Sequence, residues 1–361
     1  MRFPTRIHSH LSLVLKELHK VQNRRYDLVS VKNKTFLKWA GGKSRLIEQI
    51  KTHFKNSNRF VEPFFGGGSV FLNVDYDNYL VNDINKDLIN LFSLIKENPI
   101  DSETGIHFIE KCCSIFDKEN NIKDDGDNDK RFEDIKEEVK KEFVSQYNIE
   151  KELTDSQLKQ LSKKVVQEVK SENYYELRET FNKLEKLGWE LGNEERAFLF
   201  LYLNKNCWNG LCRYSVKDGK MKFNVPFANY AKVNCPAEQL VNCSEYLNKK
   251  NIEMCNMDFV ELFDRVEPGD MIYCDPPYIP LSKTASFTAY AGKTFSIEEH
   301  HNLLELSIKA SEEKNCKVVI SNSDCSDSRS LYKGHTVEEI NTTRFIGGGE
   351  RITELLVIIG T

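Results

Sequence analysis

A tetrapeptide that combines an acceptor carboxylate with a stacking ring follows a short apolar strand. Asp275-Pro276-Pro277-Tyr278 comes directly after the run MIYC. In α/β enzymes, ligands bind at the carboxyl ends of such strands. The two prolines fix φ and stiffen the loop. The Asp275 carboxylate and the backbone carbonyl of Pro276 can therefore accept both hydrogens of a single amino group.

That pair of acceptors fits the exocyclic N6 of adenine, whose lone pair is delocalised into the ring. Two hydrogen bonds would draw the lone pair out of conjugation, and Tyr278 offers a face on which a base taken out of the duplex can stack. A sulfonium methyl donor carries its own driving force. We therefore expect neither a metal ion nor a covalent enzyme intermediate.

A glycine turn follows an earlier predicted strand. In VEPFFGGGSVF (residues 61–71), three consecutive glycines let the backbone turn tightly and approach a ligand closely, and we expect the turn to open a helix. Glu62 and, at the end of the next strand, Asp83 can accept hydrogen bonds, as a carboxylate holding a ribose hydroxyl does. The run departs from GxGxxG at Phe71, so the turn alone is weak support for a nucleotide site.

Two further blocks combine aromatic and basic residues. FLKWAGGKSRL (residues 36–46) brings Trp39 close to Lys43, and residues 201–230 alternate aromatic side chains with lysine and arginine. Asn209 and Arg213 are of the types that read adenine and guanine edges. The second block is typical of a DNA-reading surface.

Strands and helical patterns alternate around these blocks, which predicts an α/β fold with a mostly parallel sheet. Residues 86–236 break the alternation: the pattern there is mostly helical and ends in a predicted hairpin around residues 217–220. An inserted second domain follows from this. The predicted strands are residues 59–63, 79–83, 251–255, 270–274, 317–321 and 353–359.

Composition sets the remaining expectations. The 361 residues carry a net charge of -4, contain no apolar run long enough to span a membrane, and include ten cysteines without a CxxC pair. Free thiols favour a reducing compartment, so we expect a cytoplasmic protein that meets DNA at the nucleoid. Residues 1–34 form a basic extension, interpreted as an added helix although an acid-poor transit peptide would look similar. Residues 117–172 are highly charged and are interpreted as a dispensable surface elaboration.

The blocks, taken in order, closely resemble the Dam-type DNA adenine methyltransferases. FLKWAGGK, EPFFGGGSVF, NDIN, LNKNCWNGLCRYS with FNVPFANY, and DPPYIPLSKTASFTAY match that family's pattern from about Phe36 to the C-terminus. The resemblance implies a Rossmann-like S-adenosylmethionine-dependent methyltransferase sheet (residues 35–85 and 237–361) with an inserted, mostly helical target-recognition domain carrying a β-hairpin (86–236). It also implies double-stranded DNA as substrate, usually at GATC, and no obligate protein partner.

The resemblance also assigns roles to single residues. Asp275, Pro276 and Tyr278 would be catalytic. The cofactor, S-adenosyl-L-methionine, would be lined by Trp39, Lys43, Glu62, Phe64, Gly66, Gly68, Asp83 and Asp258. DNA would be contacted by Lys38, Trp208, Asn209, Leu211, Arg213 and Tyr230.

Two departures from the family pattern concern the DNA side. Trp208 stands where the family often has tyrosine, and Asn229 stands where relatives have an arginine that meets phosphate or base. Each lost cation removes one counterion-release contribution to binding. The resemblance therefore implies the target sequence GATC less firmly than it implies adenine as the methylated base.

Other functions fit parts of the pattern. Cytosine N4 methylation uses similar chemistry, but that group typically has serine in place of Asp275, while the DNA-reading block disfavours RNA or protein glutamine as acceptor. A catalytically silent DNA-binding regulator would not need an intact DPPY. The imperfect glycine pattern disfavours a nicotinamide-dependent dehydrogenase.

Overall fold

Short runs rich in β-branched and aromatic residues form a seven-stranded sheet. The structure is a computed structural model that describes residues 34–120, 137, 141, 155–217, 219–228, 230, 233–280, 289–290, 293–344 and 350–361. All but one residue of the basic extension, and Asn229, therefore lie outside the described residues. The sheet contains β1 (Arg59–Glu62), β2 (Asn78–Asn82), β5 (Asn251–Cys255), β6 (Met271–Cys274), β9 (Lys317–Ser323), β10 (Thr336–Arg344) and β11 (Glu350–Ile359). The predicted strands are confirmed.

The strand order creates a crevice at the centre of the sheet. The order is β10-β11-β9-β6-β1-β2-β5, and the five strands from β9 to β5 are parallel. From β1 the chain builds outward through β2 to β5, then returns to the other side of β1 with β6. The loops after β1 and β6 therefore leave the sheet in diverging directions at a topological switch point, where open α/β sheets bind ligands.

One strand was not predicted, and one local expectation is wrong. TVEEINTTR, which is absent from the predicted strands, forms the edge strand β10 and pairs antiparallel with β11. The glycine turn after β1 does not open an α-helix but leads to a single 3-10 turn, Phe71–Asn73. Three successive glycines disfavour helix nucleation, and the connection to β2 is too short for a long helix.

The chain between β2 and β5 is mostly helical, as predicted. The hairpin expected near residues 217–220 is confirmed as β3 and β4, which pair antiparallel from Tyr214↔Phe223 to Lys217↔Lys220. The elements of this part are α2 (Lys86–Glu97), α3 (Glu103–Asn120), α4 (Asp155–Leu187), α5 (Glu194–Asn206), β3 (Tyr214–Lys217) and β4 (Lys220–Phe223). The other elements are α1 (Ile47–Lys51), α6 (Ala237–Lys249), α7 (Phe259–Asp264), β7 (Ala289–Tyr290), β8 (Lys293–Thr294), α8 (Ile297–Lys314) and α9 (Ser326–Leu331).

Hydrophobic cores cover both faces of the sheet. Alternation along β1 sends Phe60 into one cluster and Val61 into the other, since successive strand side chains point to opposite faces. The first cluster continues from Phe60 to Phe92 on α2 and to Tyr202 on α5. The helical part and the sheet are therefore packed around shared apolar side chains. No helix among the described residues is long and apolar enough to cross a membrane.

The charged segment 117–172 is not wholly a surface elaboration. Its C-terminal portion lies in α4, where Ser162 and Val166 are buried. Deleting the entire segment would remove these buried positions, so the interpretation as a surface elaboration is wrong for this portion, while dispensability of 117–172 stays a prediction. Residues 121–136, in its middle, lie outside the described residues.

Candidate active site

Trp39 lies across the glycine turn that follows β1. Gly66 and Gly68 have φ of +53° and +72°, a left-handed conformation that favours glycine. A Cβ on Gly66 would lie 2.9 Å from Trp39 Nε1, and one on Gly67 would lie 2.9 Å from Trp39 Cβ. The hydroxyl of Thr35, which the sequence did not single out, donates to the carbonyl of Gly67 at 2.6 Å. The glycines therefore allow both the turn and the close approach of the indole.

Asp83 ties the glycine turn to the end of β2. Its Oδ2 accepts from the backbone N–H of Gly66 at 2.8 Å, and its Oδ1 accepts from that of Asn85 at 2.9 Å. Burial raises the pKa of Asp83 to about 6, although both hydrogen bonds oppose the shift. Asn85 in turn caps α2 by accepting from the N–H groups of Asp87 and Leu88. The carboxylate is thus fixed between the first two parallel strands.

Glu62 is a buried carboxyl at the end of β1 with an unused acceptor. Its Oε2 has no hydrogen-bond partner among the described residues. Burial, followed by the neighbouring charge of Asp275, holds the pKa of Glu62 well above its usual range. A buried carboxyl oxygen without a partner is costly in a native protein unless a ligand or water satisfies it. The site is therefore suited to a ligand that brings a hydrogen-bond donor or a positive charge.

Lys43 joins the FLKWAGGK segment to the loop after β6. Its Nζ lies 2.8 Å from Asp275 Oδ2 and donates to the carbonyl of Gly41 at 2.6 Å. The Lys43 side chain is 2 % exposed and that of Asp275 is 21 % exposed. Burial raises the pKa of Asp275, and the adjacent Lys43 opposes that rise. The ion pair holds the carboxylate at the mouth of the crevice.

Tyr278 is held at both its ring and its hydroxyl. The hydroxyl donates to Glu354 Oε2 on β11 at 2.9 Å, and Lys43 Nζ lies 4.9 Å from the ring centroid. Glu354 was not predicted; a single acidic residue in a strand read as apolar gives little signal of a function. The site thus places an acceptor carboxylate, a backbone carbonyl and an aromatic ring together at the carboxyl end of β6.

Phe64 and Asp258 border the same crevice. The ring of Phe64 packs against Phe259 at 5.5 Å and Phe295 at 5.7 Å between centroids. Asp258 follows β5 and caps α7, with Oδ1 accepting from the N–H of Val260 at 3.0 Å. The residues predicted to line a cofactor therefore come from the segment before β1 and from the carboxyl ends of β1, β2 and β5.

Five predicted DNA-contacting residues, Lys38, Trp208, Asn209, Arg213 and Tyr230, are at least partly exposed, and we call them together the DNA face. The Trp208 side chain is 57 % exposed, and Arg213 is also exposed. Lys38 Nζ lies 3.7 Å from the centroid of the Tyr230 ring, and the hydroxyl of Tyr230 accepts from the N–H of Asn209 at 3.0 Å. The structure therefore brings together residues that are far apart in the sequence.

Leu211, the sixth residue predicted to contact DNA, differs from the others. It is 9 % exposed and belongs to the hydrophobic core, so it has little surface to offer a thymine methyl group. The neighbouring Gly210 was not singled out, yet a Cβ there would lie 2.2 Å from Lys38 Cβ. The turn through Trp208–Gly210 is thus packed closely against the Lys38 backbone, and Asn209 within it has φ of +53°.

A buried ion pair, also missed from the sequence, supports the hairpin. Arg196 on α5 donates to Asp87 Oδ1 at 2.5 Å and Oδ2 at 3.0 Å, and the hydroxyl of Tyr214 on β3 donates to Asp87 Oδ2 at 2.8 Å. Arg196 also donates to the carbonyl of Phe181 on α4 at 2.6 Å. The available signal was an arginine directly before the apolar run Ala197–Leu203 of α5. This cluster joins α2, which begins beside the Asp83 carboxylate, to the hairpin.

Comparison with known proteins agrees with this geometry. The family described as D12 class N6 adenine-specific DNA methyltransferase matches residues 39–144 and 134–346. The chain is 34 % identical over 331 residues to the DNA adenine methylase of Vibrio cholerae serotype O1, covering 91 % of this chain and 96 % of the relative. It is 33 % identical over 331 residues to the DNA adenine methylases of Serratia marcescens and Escherichia coli strain K12, covering 91 % of this chain and 98 % and 95 % of those relatives.

Proposed function

The chain belongs to the D12 class of N6 adenine-specific DNA methyltransferases, and we propose that it transfers the methyl group of S-adenosyl-L-methionine to the adenine of GATC in double-stranded DNA. The observation that carries the proposal is the position of Asp275 and Tyr278. Both lie at the carboxyl end of β6, directly across the switch point from the glycine turn after β1. A methyl donor held by the turn would face a base held by the loop.

The residues around the glycine turn fit the donor. Asp83 supplies a fixed carboxylate for ribose hydroxyls, and the unpartnered Oε2 of Glu62 suits a cationic amino group. Trp39 and Phe64 offer apolar surface beside the backbone of Gly66 and Gly68, while Lys43 and Asp258 complete the proposed lining. When bound, S-adenosyl-L-methionine supplies a methyl group already activated by its sulfonium charge.

The protein's own task is to prepare the acceptor nitrogen. The carboxylate of Asp275 accepts one N6 hydrogen and the carbonyl of Pro276 accepts the other, which draws the nitrogen lone pair towards the incoming methyl group. The ring of Tyr278 stacks on the base outside the duplex. Burial raises the pKa of Asp275, and the ion pair with Lys43 opposes that rise and so favours the ionised acceptor.

The DNA face supplies the proposed sequence choice. Lys38 and Arg213 carry donors that suit guanine O6 and N7, and Asn209 suits adenine. The indole of Trp208 is exposed and would fill the gap left by the extruded adenine. Residues 86–236 then act as the target-recognition domain and residues 35–85 with 237–361 as the catalytic domain.

The test is transfer of labelled methyl groups to short duplexes. One duplex contains GATC, and the others each differ from it by a single base pair. We expect strong preference for GATC, since a good bidentate base contact is worth roughly 1–3 kcal/mol. Faster modification of a duplex without GATC would overturn the sequence choice, and label on cytosine would overturn the proposed acceptor.

A further inference from the structure

The carboxyl end of β9 holds the backbone of the catalytic loop just beyond Tyr278. The N–H of Ile279 donates to Asn322 Oδ1 at 3.1 Å, and the hydroxyl of Ser323 donates to the carbonyl of Ile279 at 2.5 Å. Both polar groups of one peptide residue are thus held by two neighbouring side chains. All three residues are buried, so water does not compete for these hydrogen bonds.

The Asn322 side chain is itself fixed from behind. Its Nδ2 donates to the hydroxyl of Tyr332 at 3.1 Å and lies 3.4 Å from His300 Nδ1, while its Oδ1 also accepts from the N–H of Ser323 at 2.9 Å. Rotating the amide by half a turn would place donors against the two N–H groups. The hydrogen-bond pattern therefore allows one orientation, in which the oxygen faces Ile279.

His300 lies behind Asn322 and close to the Pro277 end of the loop. Its ring packs edge-on against Phe295 with centroids 4.7 Å apart, and it lies near the backbone of Pro277. Burial, followed by the nearby His301, lowers the pKa of His300 to about 4. The ring is therefore neutral at physiological pH and adds no charge beneath the catalytic loop.

The two ends of the loop are anchored differently. Asp275 continues directly from β6, which is paired on both sides by β1 and β9. Beyond Tyr278 the chain leaves the sheet, and among the described residues Ile279 is the next backbone position held by buried side chains. A displacement of about 1 Å in a reacting group can cost roughly a hundredfold in rate.

We infer that Asn322, assisted by Ser323, is a positioning residue for methyl transfer: it fixes the loop end so that the Pro276 carbonyl and the Tyr278 ring keep their places relative to Asp275. The inference rests on the proposed function of the Asp275 loop. It assigns to β9 a role in the reaction although none of its side chains needs to touch the base.

The experiment compares Asn322→Ala with Ser321→Ala, a matched control on the same strand. Ser321 is equally buried and exchanges a 2.7 Å hydrogen bond with the hydroxyl of Tyr273, not with the loop. For Asn322→Ala we expect kcat to fall by about 10- to 100-fold, with KM for DNA and for S-adenosyl-L-methionine little changed. Ser321→Ala is expected to keep kcat within about twofold of wild type, although both variants lose one buried hydrogen-bonding group and melt at lower temperature.

A base-flipping assay distinguishes a loss of loop positioning from a general loss of structure and DNA binding. A duplex with 2-aminopurine at the target position reports extrusion of the base by its fluorescence. Asn322→Ala is expected to retain binding and extrusion while transfer slows. If Asn322→Ala keeps kcat within about twofold of wild type, or loses no more than Ser321→Ala, the inference is overturned.

Further variants keep the outcome decisive. If Asn322→Ala does not melt cooperatively, Ser323→Ala takes its place, because it removes only the hydroxyl that holds the Ile279 carbonyl; unchanged kcat in that variant overturns the inference. Asp275→Ala is measured alongside. An active Asp275→Ala would contradict the proposed function itself, whereas an inactive Asp275→Ala beside a fully active Asn322→Ala would contradict the positioning role alone.

Discussion

The catalytic end of the sheet and the DNA face use charge in opposite ways. At the catalytic end, Lys43 and Glu62 are buried, and Asp275 is mostly covered and paired. On the DNA face, Trp208 and Arg213 are exposed. One region keeps its polar groups out of water and fixes them at strand ends, where backbone geometry is rigid. The other leaves its polar and aromatic groups open to a large, charged partner.

The two regions therefore differ in how they contribute to stability. The residues proposed to be catalytic are themselves part of the packed structure. The exposed residues of the DNA face contribute little packing, whereas the neighbouring hairpin is anchored by the buried Asp87–Arg196 pair through the hydroxyl of Tyr214. Substitutions should therefore separate chemistry, folding and DNA affinity according to which region they touch.

The largest effect is expected at the catalytic end. Asp275→Ala should reduce methyl transfer by at least about 10²- to 10³-fold, the scale seen when a preorganised hydrogen-bonding group is removed from a transition state. Cofactor affinity should stay within a few-fold of wild type, since the proposed role of this carboxylate concerns the base. Single-turnover transfer of labelled methyl and calorimetric titration of the cofactor measure the two quantities; a rate near that of wild type would contradict the assignment.

The next effect tests the support of the hairpin. Arg196→Met should destabilise the fold by about 3–5 kcal/mol, because it leaves the Asp87 carboxylate buried without its partner. Arg329→Met is the matched control: Arg329 is half-exposed and pairs with Asp324 and Glu339 on the surface, so its loss should hardly alter unfolding. Denaturant unfolding measures both variants, and equal destabilisation would show that burial of the Asp87 pair is unimportant.

The positions of the residues proposed for catalysis were predictable because these residues stand in contiguous blocks of the sequence. Asp275 and Tyr278 belong to one tetrapeptide, and Gly66 to Gly68 stand in one turn, so residue type and strand position were enough to place them. The missed residues act through tertiary contacts. Glu354 meets Tyr278 from a strand 76 positions later, a distance along the chain over which no local pattern extends.

The support of the hairpin was missed for a related reason. Arg196 directly precedes an apolar run, but nothing near it in the sequence indicates Asp87, 109 positions away, as its partner. The edge strand β10 was missed because half-polar alternation at the rim of a sheet resembles a loop. Local sequence propensity thus predicted most helices and strands, whereas hydrogen bonds between residues far apart in the sequence could not be predicted from it.

A smaller effect is expected on the DNA face itself. Trp208→Ala should weaken binding of a target duplex by roughly 5- to 150-fold, since stacking on an aromatic side chain is worth about 1–3 kcal/mol per base. The melting temperature should not change, because the indole is 57 % exposed. Arg213→Gln provides the comparison: because Arg213 is proposed to contact guanine, its loss should cost about 1–3 kcal/mol on the GATC duplex and relax the preference at that base pair, whereas Trp208→Ala should weaken binding without relaxing it.

The smallest effect returns to the catalytic end and concerns pH. Burial raises the pKa of Asp83 to about 6, so the carboxyl is ionised above that pH and protonated below it. Ribose hydroxyls donate to the ionised form, so the affinity for S-adenosyl-L-methionine should fall as the pH drops through about 6. If the ionised form alone binds, the loss reaches about tenfold at pH 5, one unit below the pKa.

Asp83→Asn provides the control for this last prediction. The amide has nearly the same shape and does not titrate, so its cofactor affinity should be weaker at neutral pH and lose most of its pH dependence. A folded-state pKa above the unfolded value means that the folded chain binds more protons, so lowering the pH from about 6 towards 4 stabilises the fold through this group. Affinity and stability should therefore change in opposite directions over that interval, and calorimetric titration alongside thermal unfolding distinguishes loss of binding from loss of structure. An equally steep pH dependence in Asp83→Asn would assign the effect to another group, of which the buried Glu62 is the nearest candidate.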